Sequence, residues 1–201
     1  PALSFSADVT AGLVPLKVTV TNTSINTSSV DWWRVQFSVS PGPNDSSTRV
    51  ETTNALTPVS FTYTNIGIYS VLMRANLAGG GNVALTKANY ITVTGLKFAA
   101  VGSTTNVVPM TASFNNQSLG MSNYVWNFGD GQTSTSASPV NVYTNAGTYT
   151  VTLTGDYNGT PTSLVRTSYI VATPAPVASF YGVPPGGKAP LIVSFVNTST
   201  N

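Results

Sequence analysis

The chain has 201 residues, of which 41% are hydrophobic and only 7% are charged, and its formal net charge is +2. Typical soluble domains carry about 25% charged residues, so most of the surface must consist of the 53 Ser and Thr and 18 Asn residues. The eight bases form no run, Cys and His are absent, and no apolar stretch approaches the ~20 residues of a membrane helix. We therefore expect no nucleic-acid binding, no thiol or imidazole catalysis and no membrane insertion.

Segments in which apolar and polar residues alternate occur along the whole chain. Three of them have apolar residues at every second position, as a half-buried β-strand requires: Leu16–Val20, Tyr149–Leu153 and Leu191–Phe195. A fourth, Val142–Thr144, follows the same alternation with Thr144 at its second inward position. Clusters of Gly, Pro, Asn and Ser, which favour turns, separate such segments. They lie at Ser40–Asn44, Ala78–Asn82, Gly129–Gly131 and Asn158–Gly159. Since no long segment has a 3.6-residue period, the sequence predicts an all-β protein with essentially no helix.

The chain also repeats itself. Residues 1–26 align without a gap on residues 176–201, with 11 of 26 positions identical, and residues 61–71 align on 141–151. A repeated opening indicates a repeated structural unit. The length accommodates two sandwiches of roughly 80–100 residues. We predict one β-sandwich domain over 1–95 and a second over 96–173. Residues 174–201 then form a short proline-rich joint and the first strands of a third, incomplete domain.

The joints between these domains are short. Gly95 stands in a nearly seamless connection, and the sequence T-P-A-P at 173–176 favours an extended, semi-rigid joint. We therefore expect a stiff rod of β-sandwich beads. Two isolated strands are marginal in water and their open edges recruit other strands. The incomplete third domain is expected to be completed either by more of its own chain or by another subunit.

Two adjacent tryptophans mark a candidate interaction surface. Neighbouring strand residues face opposite sides, so Trp33 is predicted to enter the core with Val35 and Phe37 while Trp32 points outward beside Arg34. An outward Trp can be covered by the adjoining loop, contact another protein or stack on a sugar. These three alternatives stay open, and the loop in question is Ser40–Ser47.

Acidic residues are few and scattered. Asp130 stands between Gly129 and Gly131, where an Asp that accepts hydrogen bonds from nearby backbone N–H groups, flanked by glycines, forms a tight turn. A calcium site needs six to eight oxygen ligands, and the only other acid in 96–173 is Asp156. The acids of 1–95 are well separated. We predict no catalytic site, no cofactor and no metal site.

Three motifs in order resemble the PKD domain family, whose usual pattern is W-D-F-G-D-G, then P-x-H-x-Y, then G-x-Y-x-V-x-L. The chain has W-N-F-G-D-G at 126–131, a Pro and a Tyr at 139 and 143, and G-T-Y-T-V-T-L at 147–153. Asn127 replaces the usual Asp and Asn141 the usual His. Residues 1–95 resemble only the second half of the pattern, so they form a divergent relative. Residues 176–201 resemble only the opening strands.

The resemblance implies a seven-stranded sandwich of the immunoglobulin type. The residues that define this fold are expected to be Trp126, Phe128, Gly129, Asp130, Gly131, Tyr143, Gly147 and Tyr149, together with Trp33, Tyr63, Gly67 and Tyr69 in 1–95. From the residues themselves, Gly147 is expected to take the positive φ of a tight turn. Tyr143 is expected to bury its ring while its hydroxyl finds a backbone partner.

Members of the family typically act as extracellular spacers, adhesion modules or accessory domains beside secreted hydrolases. The sequence therefore favours a non-catalytic structural or adhesive rod in an extracellular filament, a cell-surface protein or a virus particle. The alternative is an accessory spacer or glycan-binding region of a large secreted hydrolase. The expected partners are copies of the chain itself and neighbouring domains of a longer chain, with glycans as a further candidate.

Overall fold

A computed structural model describes residues 1–38, the main chain of 49–52, and residues 57–200. Within those ranges it contains 18 strands and no helix. The strands are β1 Phe5–Ala7, β2 Ala11–Leu13, β3 Leu16–Asn22, β4 Val30–Phe37, β5 Arg49–Thr52, β6 Val59–Tyr63, β7 Gly67–Leu77, β8 Asn82–Thr94, β9 Phe98–Val101, β10 Thr105–Val107, β11 Met110–Asn116, β12 Ser122–Asn127, β13 Thr133–Ser134, β14 Val140–Tyr143, β15 Gly147–Tyr157, β16 Thr160–Thr173, β17 Phe180–Val183 and β18 Ser194–Asn197. The predicted all-β class is confirmed.

Strands β1–β8 form a first sandwich of two sheets. One sheet has the order β1-β3-β6 and the other the order β2-β8-β7-β4-β5. All pairs are antiparallel except β2 with β8, which is parallel. The inward residues of the two sheets form one core, with Val18, Phe37, Val71 and Met73 fully buried in it. Their burial follows the alternation of each strand, since every second side chain faces the opposite sheet.

Strands β9–β16 form a second sandwich with the same plan. The smaller sheet has the order β14-β11-β9 and the larger the order β10-β16-β15-β12-β13. The parallel pair at one edge recurs, here between β10 and β16. Its core is rich in aromatic rings, with fully buried Phe98, Phe114, Trp126 and Phe128. Phe98 lies edge-on to Trp126 at 5.0 Å between ring centroids, and Phe114 stacks on Phe128 at 5.4 Å.

By compactness the chain divides into two units. One comprises residues 1–97 with 117–123 and 155–162, and the other comprises 98–116, 124–154 and 163–201. The domain limits 1–95, 96–173 and 174–201 remain a prediction from the repeats.

Among the strands that the structure describes, the last two, β17 and β18, pair only with each other. Phe180 and Phe195 contact each other edge-on at 5.8 Å, yet they are 70% and 71% exposed. The predicted strand over Leu191–Phe195 is wrong in its first half, because β18 begins at Ser194. The matching strands β3 and β11 run their full length because each has a partner on both sides. Among the described residues, β18 has a partner on one side only.

Candidate functional site

A tyrosine corner stands at the start of β7 in the first sandwich and of β15 in the second. The Tyr149 hydroxyl donates to the carbonyl oxygen of Asn145 at 2.8 Å, four residues back along the chain. Its ring then lies over Gly147, where an added Cβ would stand 3.3 Å from the ring carbon Cζ. Gly147 does not have a positive φ, so that expectation was wrong. The position suits glycine because the tyrosine ring occupies the space of a side chain.

The first sandwich contains the same corner at Tyr69. Its hydroxyl donates to the carbonyl of Asn65 at 2.8 Å, and a Cβ on Gly67 would lie 3.0 Å from the tyrosine Cζ. A second tyrosine packs against each corner. Tyr63 lies 4.4 Å from Tyr69 between ring centroids, and the equivalent pair in the second sandwich lies 4.5 Å apart. The tyrosines that the repeat places at equivalent positions thus have the same geometry in both sandwiches.

The second tyrosine of each pair is buried. Tyr143 is fully buried, and its hydroxyl donates to the carbonyl of Phe128 at 3.1 Å, so the predicted backbone partner is found. Burial raises the pKa of Tyr143 to about 12. Tyr63 is 2% exposed, and its hydroxyl oxygen has no hydrogen-bond partner among the described residues. Burial also raises the pKa of Tyr63, to well above its usual value.

Asp130 organises a turn. One carboxylate oxygen accepts the backbone N–H of Gln132 at 3.0 Å, and the other accepts the side-chain amide of Asn141 at 2.7 Å. Gly129 and Gly131 have φ values of 81° and 92°, which only glycine adopts at low cost. The carboxylate therefore ties the turn to β14. Asn141, the position at which the family usually has His, is the partner that the sequence alone did not reveal.

Trp126 and Trp33 are both core residues, 0% and 3% exposed. The indole N–H of Trp126 donates to the carbonyl of Ser136 at 3.0 Å, which holds the segment after β13 against the sheet. Trp33 lies on β4 directly opposite Ala75 of β7. Both tryptophans stand on the core-facing side of a central strand.

Trp32 lies on the outer side of β4 and is half-buried. The Arg34 guanidinium carbon lies 4.9 Å from the centroid of its ring, within the range of a cation–π contact. The side-chain amide of Asn76, in the orientation that satisfies its neighbours, accepts the Trp32 indole N–H through its oxygen at 3.2 Å. Trp32 and Arg34 thus form one outer patch. The loop Ser40–Ser47, one of the three alternatives for covering it, lies outside the described residues.

A cation over two aromatic rings braces each sandwich, a feature that our sequence reading missed. Lys87 Nζ lies 4.7 Å from the ring centroids of both Phe5 and Tyr90. The Arg166 guanidinium carbon lies 4.9 Å from those of both Phe98 and Tyr169. The signal was available, because K-x-x-Y-I at 87–91 recurs as R-x-x-Y-I at 166–170.

The same two tyrosines cap a sheet edge. The Tyr90 hydroxyl accepts the backbone N–H of Ala7 at 3.1 Å, and the Tyr169 hydroxyl accepts that of Ala100 at 2.7 Å. A strand edge with unpaired N–H groups can recruit other strands. The ring of each tyrosine therefore contacts the cation, and its hydroxyl accepts a hydrogen bond from a backbone N–H at the sheet edge.

Within the described ranges, no group of three or more His, Cys, Asp or Glu residues is arranged to hold a metal ion. Nor does any helix there have the length and apolarity to cross a membrane. The polar groups described above bond to the backbone and to each other. Their arrangement stabilises corners, turns and sheet edges.

Fold and braces together define tandem immunoglobulin-like β-sandwich modules. Residues 96–171 match the PKD domain family, which confirms the resemblance drawn from the three motifs. The match covers a continuous segment that includes both Asp130 and the Tyr149 corner.

Other similarities are more limited. Collagenase ColA of Bacillus cereus is 68% identical over 31 residues, which cover 15% of this chain and 3% of the collagenase. The chain therefore spans only a small part of that relative. The fibronectin(III)-like modules of Clostridium thermocellum CbhA have a TM-score of 0.36 at 12% identity, covering 85% of this chain and 95% of theirs. The amphioxus IgVJ-C2 molecule has a TM-score of 0.30 at 12% identity, covering 80% and 99%.

Proposed function

We propose that this chain is a non-catalytic structural module of an extracellular protein, in which stiff β-sandwich beads hold other parts at a fixed spacing. The observation that supports this most is the duplicated bracing. Tyr69 and Tyr149 make the same corner bond, and Lys87 and Arg166 make the same cation–π brace. A spacer requires each sandwich to keep its shape, and the contribution of these contacts is to stabilise that shape.

The surface chemistry is consistent with such a role. Only 7% of the residues are charged, so neighbouring copies repel each other weakly and can approach closely. Hydroxyl and amide groups keep such a surface hydrated without a strong field. A filament, a cell surface or a virus particle is a setting in which closely packed, uncharged beads are useful.

Small-angle X-ray scattering of the 201-residue chain tests the spacer. We expect a maximum dimension that stays constant between low and high salt and a scattering curve typical of beads in fixed orientation. The matched control is a variant with a Gly-Ser insertion after Gly95, which should show a broader distance distribution. A wild-type chain as flexible as the insertion variant would contradict the proposal.

A second candidate is an accessory region of a secreted hydrolase that contacts its insoluble substrate. The 31-residue similarity to collagenase ColA favours it, and the patch of Trp32 and Arg34 is the surface that we assign to it. Pull-down with insoluble polysaccharides and with collagen fibres tests this. Loss of binding in Trp32→Ala, with binding kept in a variant of the exposed Ile25, Ile25→Ala, would support it. Absence of binding by the wild type would exclude it.

A further inference from the structure

Strand β14 presents two valines to solvent at the edge of the smaller sheet of the second sandwich. Val140 is 59% exposed and Val142 is 47% exposed, whereas Asn141 and Tyr143 between and after them face the core. β14 pairs with β11 on one side and has no strand on its other side among the described residues. An uncharged apolar edge of this kind is a template for another strand.

The backbone groups of these valines also point outward. Phe114 N–H donates to the Pro139 carbonyl at 2.9 Å, which makes Phe114 and Pro139 a hydrogen-bonded pair of the antiparallel ladder. Hydrogen-bonded pairs occur at every second position, so the next ones are at Asn141 and Tyr143. The N–H and C=O groups of Val140 and Val142 therefore face away from β11. Side chains and backbone groups of the same two residues are available at this edge.

The opposite edge of the same sheet is already occupied. There β9 donates its Ala100 N–H to the Tyr169 hydroxyl at 2.7 Å. On the β14 edge, none of the described hydrogen bonds involves the N–H of Val140 or Val142. No described side chain therefore caps these two donors in the way that Tyr169 caps Ala100. The two edges of one sheet thus differ in whether a donor is capped.

The first sandwich provides an internal comparison. Its strand β6 occupies the place of β14, pairing with β3 through the same alternation. Ser60 and Thr62 stand where the second sandwich has its two valines, and Ser60 Oγ lies 2.9 Å from Thr19 Oγ1. The exposed positions are therefore polar in one copy of the fold and apolar in the other, so the fold itself does not require valine there.

We propose that β14 pairs antiparallel with β14 of a second copy of this chain. The strand is self-complementary in one register, in which Val140 lies opposite Val142 of the other copy. In that register the outward N–H and C=O groups of both residues meet their counterparts, since each hydrogen-bonded pair makes two bonds. The valine side chains then lie side by side on the outer face, with Cα atoms about 5.5 Å apart.

This contact is small. Two short strands bury far less than the ~1,200 Å² of a standard interface, so a single pairing is weak and reversible. Where many copies are held on one surface or filament, effective concentration increases such pairing without a new contact. A lateral contact of this kind is independent of the spacer role, which scattering tests separately.

Cysteine trapping tests the register, because the natural chain has no Cys. An equimolar mixture of the Val140→Cys and Val142→Cys variants of the full chain should form disulfide-linked dimers several-fold faster than either variant alone. The reason is that position 140 faces 142, while like positions lie two residues apart. A mixture of Ser60→Cys and Thr62→Cys is the matched control and should show no such preference.

Sedimentation velocity over a wide concentration range gives the second readout. The wild type should show a reversible dimer at high concentration that the Val140→Ser/Val142→Thr variant lacks. That variant copies the residues of the first sandwich, so it should keep the wild-type melting curve. Equal trapping rates for mixed and single cysteine variants, or dimerisation unchanged in the Ser/Thr variant, would overturn the proposal.

Discussion

The Tyr149 hydroxyl and the Asn145 carbonyl oxygen lie 2.8 Å apart, the same distance that separates the Tyr69 hydroxyl from the Asn65 carbonyl. Each bond closes the corner at which the chain enters an 11-residue strand, β7 or β15. Because the chain enters β15 and β7 from this corner, the bond fixes where the strand begins. The stability of each sandwich should therefore depend on one hydroxyl group.

Replacing Tyr149 by Phe removes that hydroxyl while keeping the ring over Gly147. We expect the free energy of unfolding to fall by about 0.5–1.5 kcal/mol, the net contribution of a typical hydrogen bond. Chemical denaturation followed by tryptophan fluorescence measures it. The control Tyr181→Phe alters a 53% exposed ring and should leave the stability unchanged. Equal effects of both variants would refute the role of the corner.

The two glycines of the Asp130 turn should respond differently to Ala. Both have a positive φ, which costs an Ala residue about 1 kcal/mol. A Cβ on Gly129 would also stand 2.5 Å from the Thr150 carbonyl oxygen, whereas none of the described atoms lies within 4 Å of a Cβ on Gly131. We expect Gly129→Ala to be clearly more destabilising than Gly131→Ala in thermal unfolding. Equal melting temperatures would show that the backbone yields at Gly129.

Removing the Asp130 carboxylate should destabilise the second sandwich. Asp130→Ala deletes the acceptor of both the Gln132 N–H and the Asn141 amide, and Asn141 is only 8% exposed. Leaving a buried donor without a partner costs about 1–3 kcal/mol. Asp156→Ala is the control, since its bond with Asn123 is exposed and should contribute little. Denaturation midpoints of the two variants decide the matter.

Alkaline pH should weaken the fold through its buried tyrosines. The pKa of Tyr143 rises from about 10 in the unfolded chain to about 12 in the folded one, because burial disfavours the phenolate. A group with a raised folded pKa contributes stability that is complete below about pH 10 and is lost as the pH rises through about 12. Unfolding free energies measured from pH 8 to 12 should therefore fall at the upper end.

The variant Tyr143→Phe tests the origin of that loss. It should start from a lower stability, since its bond to the Phe128 carbonyl is gone, but its stability should decline less steeply with pH. A wild-type stability that is flat across the alkaline range would contradict the assigned pKa direction. A decline of the same steepness in the variant would assign the pH dependence to other groups.

Much of the architecture could be read from the sequence because it depends on short-range pattern. Alternation along β3, β4 and β15 marks one side of each strand as apolar, and the repeated openings show that the same unit recurs. The turn at Asp130 was also predictable, since its flanking glycines tolerate a positive φ and an Asp between them can accept hydrogen bonds from nearby backbone N–H groups. These features need only the chain neighbours of each residue.

What the tertiary structure decided depends on residues far apart in the chain. Alternation around Val142 could not show that the exposed side of β14 is the apolar one, because Asn141 and Tyr143 turn inward to meet Asp130 and Phe128. Glycine suits position 147 because the Tyr149 ring lies over it and not because its backbone is left-handed. A side chain's environment is set by the facing sheet, and only the folded chain shows which residues face each other.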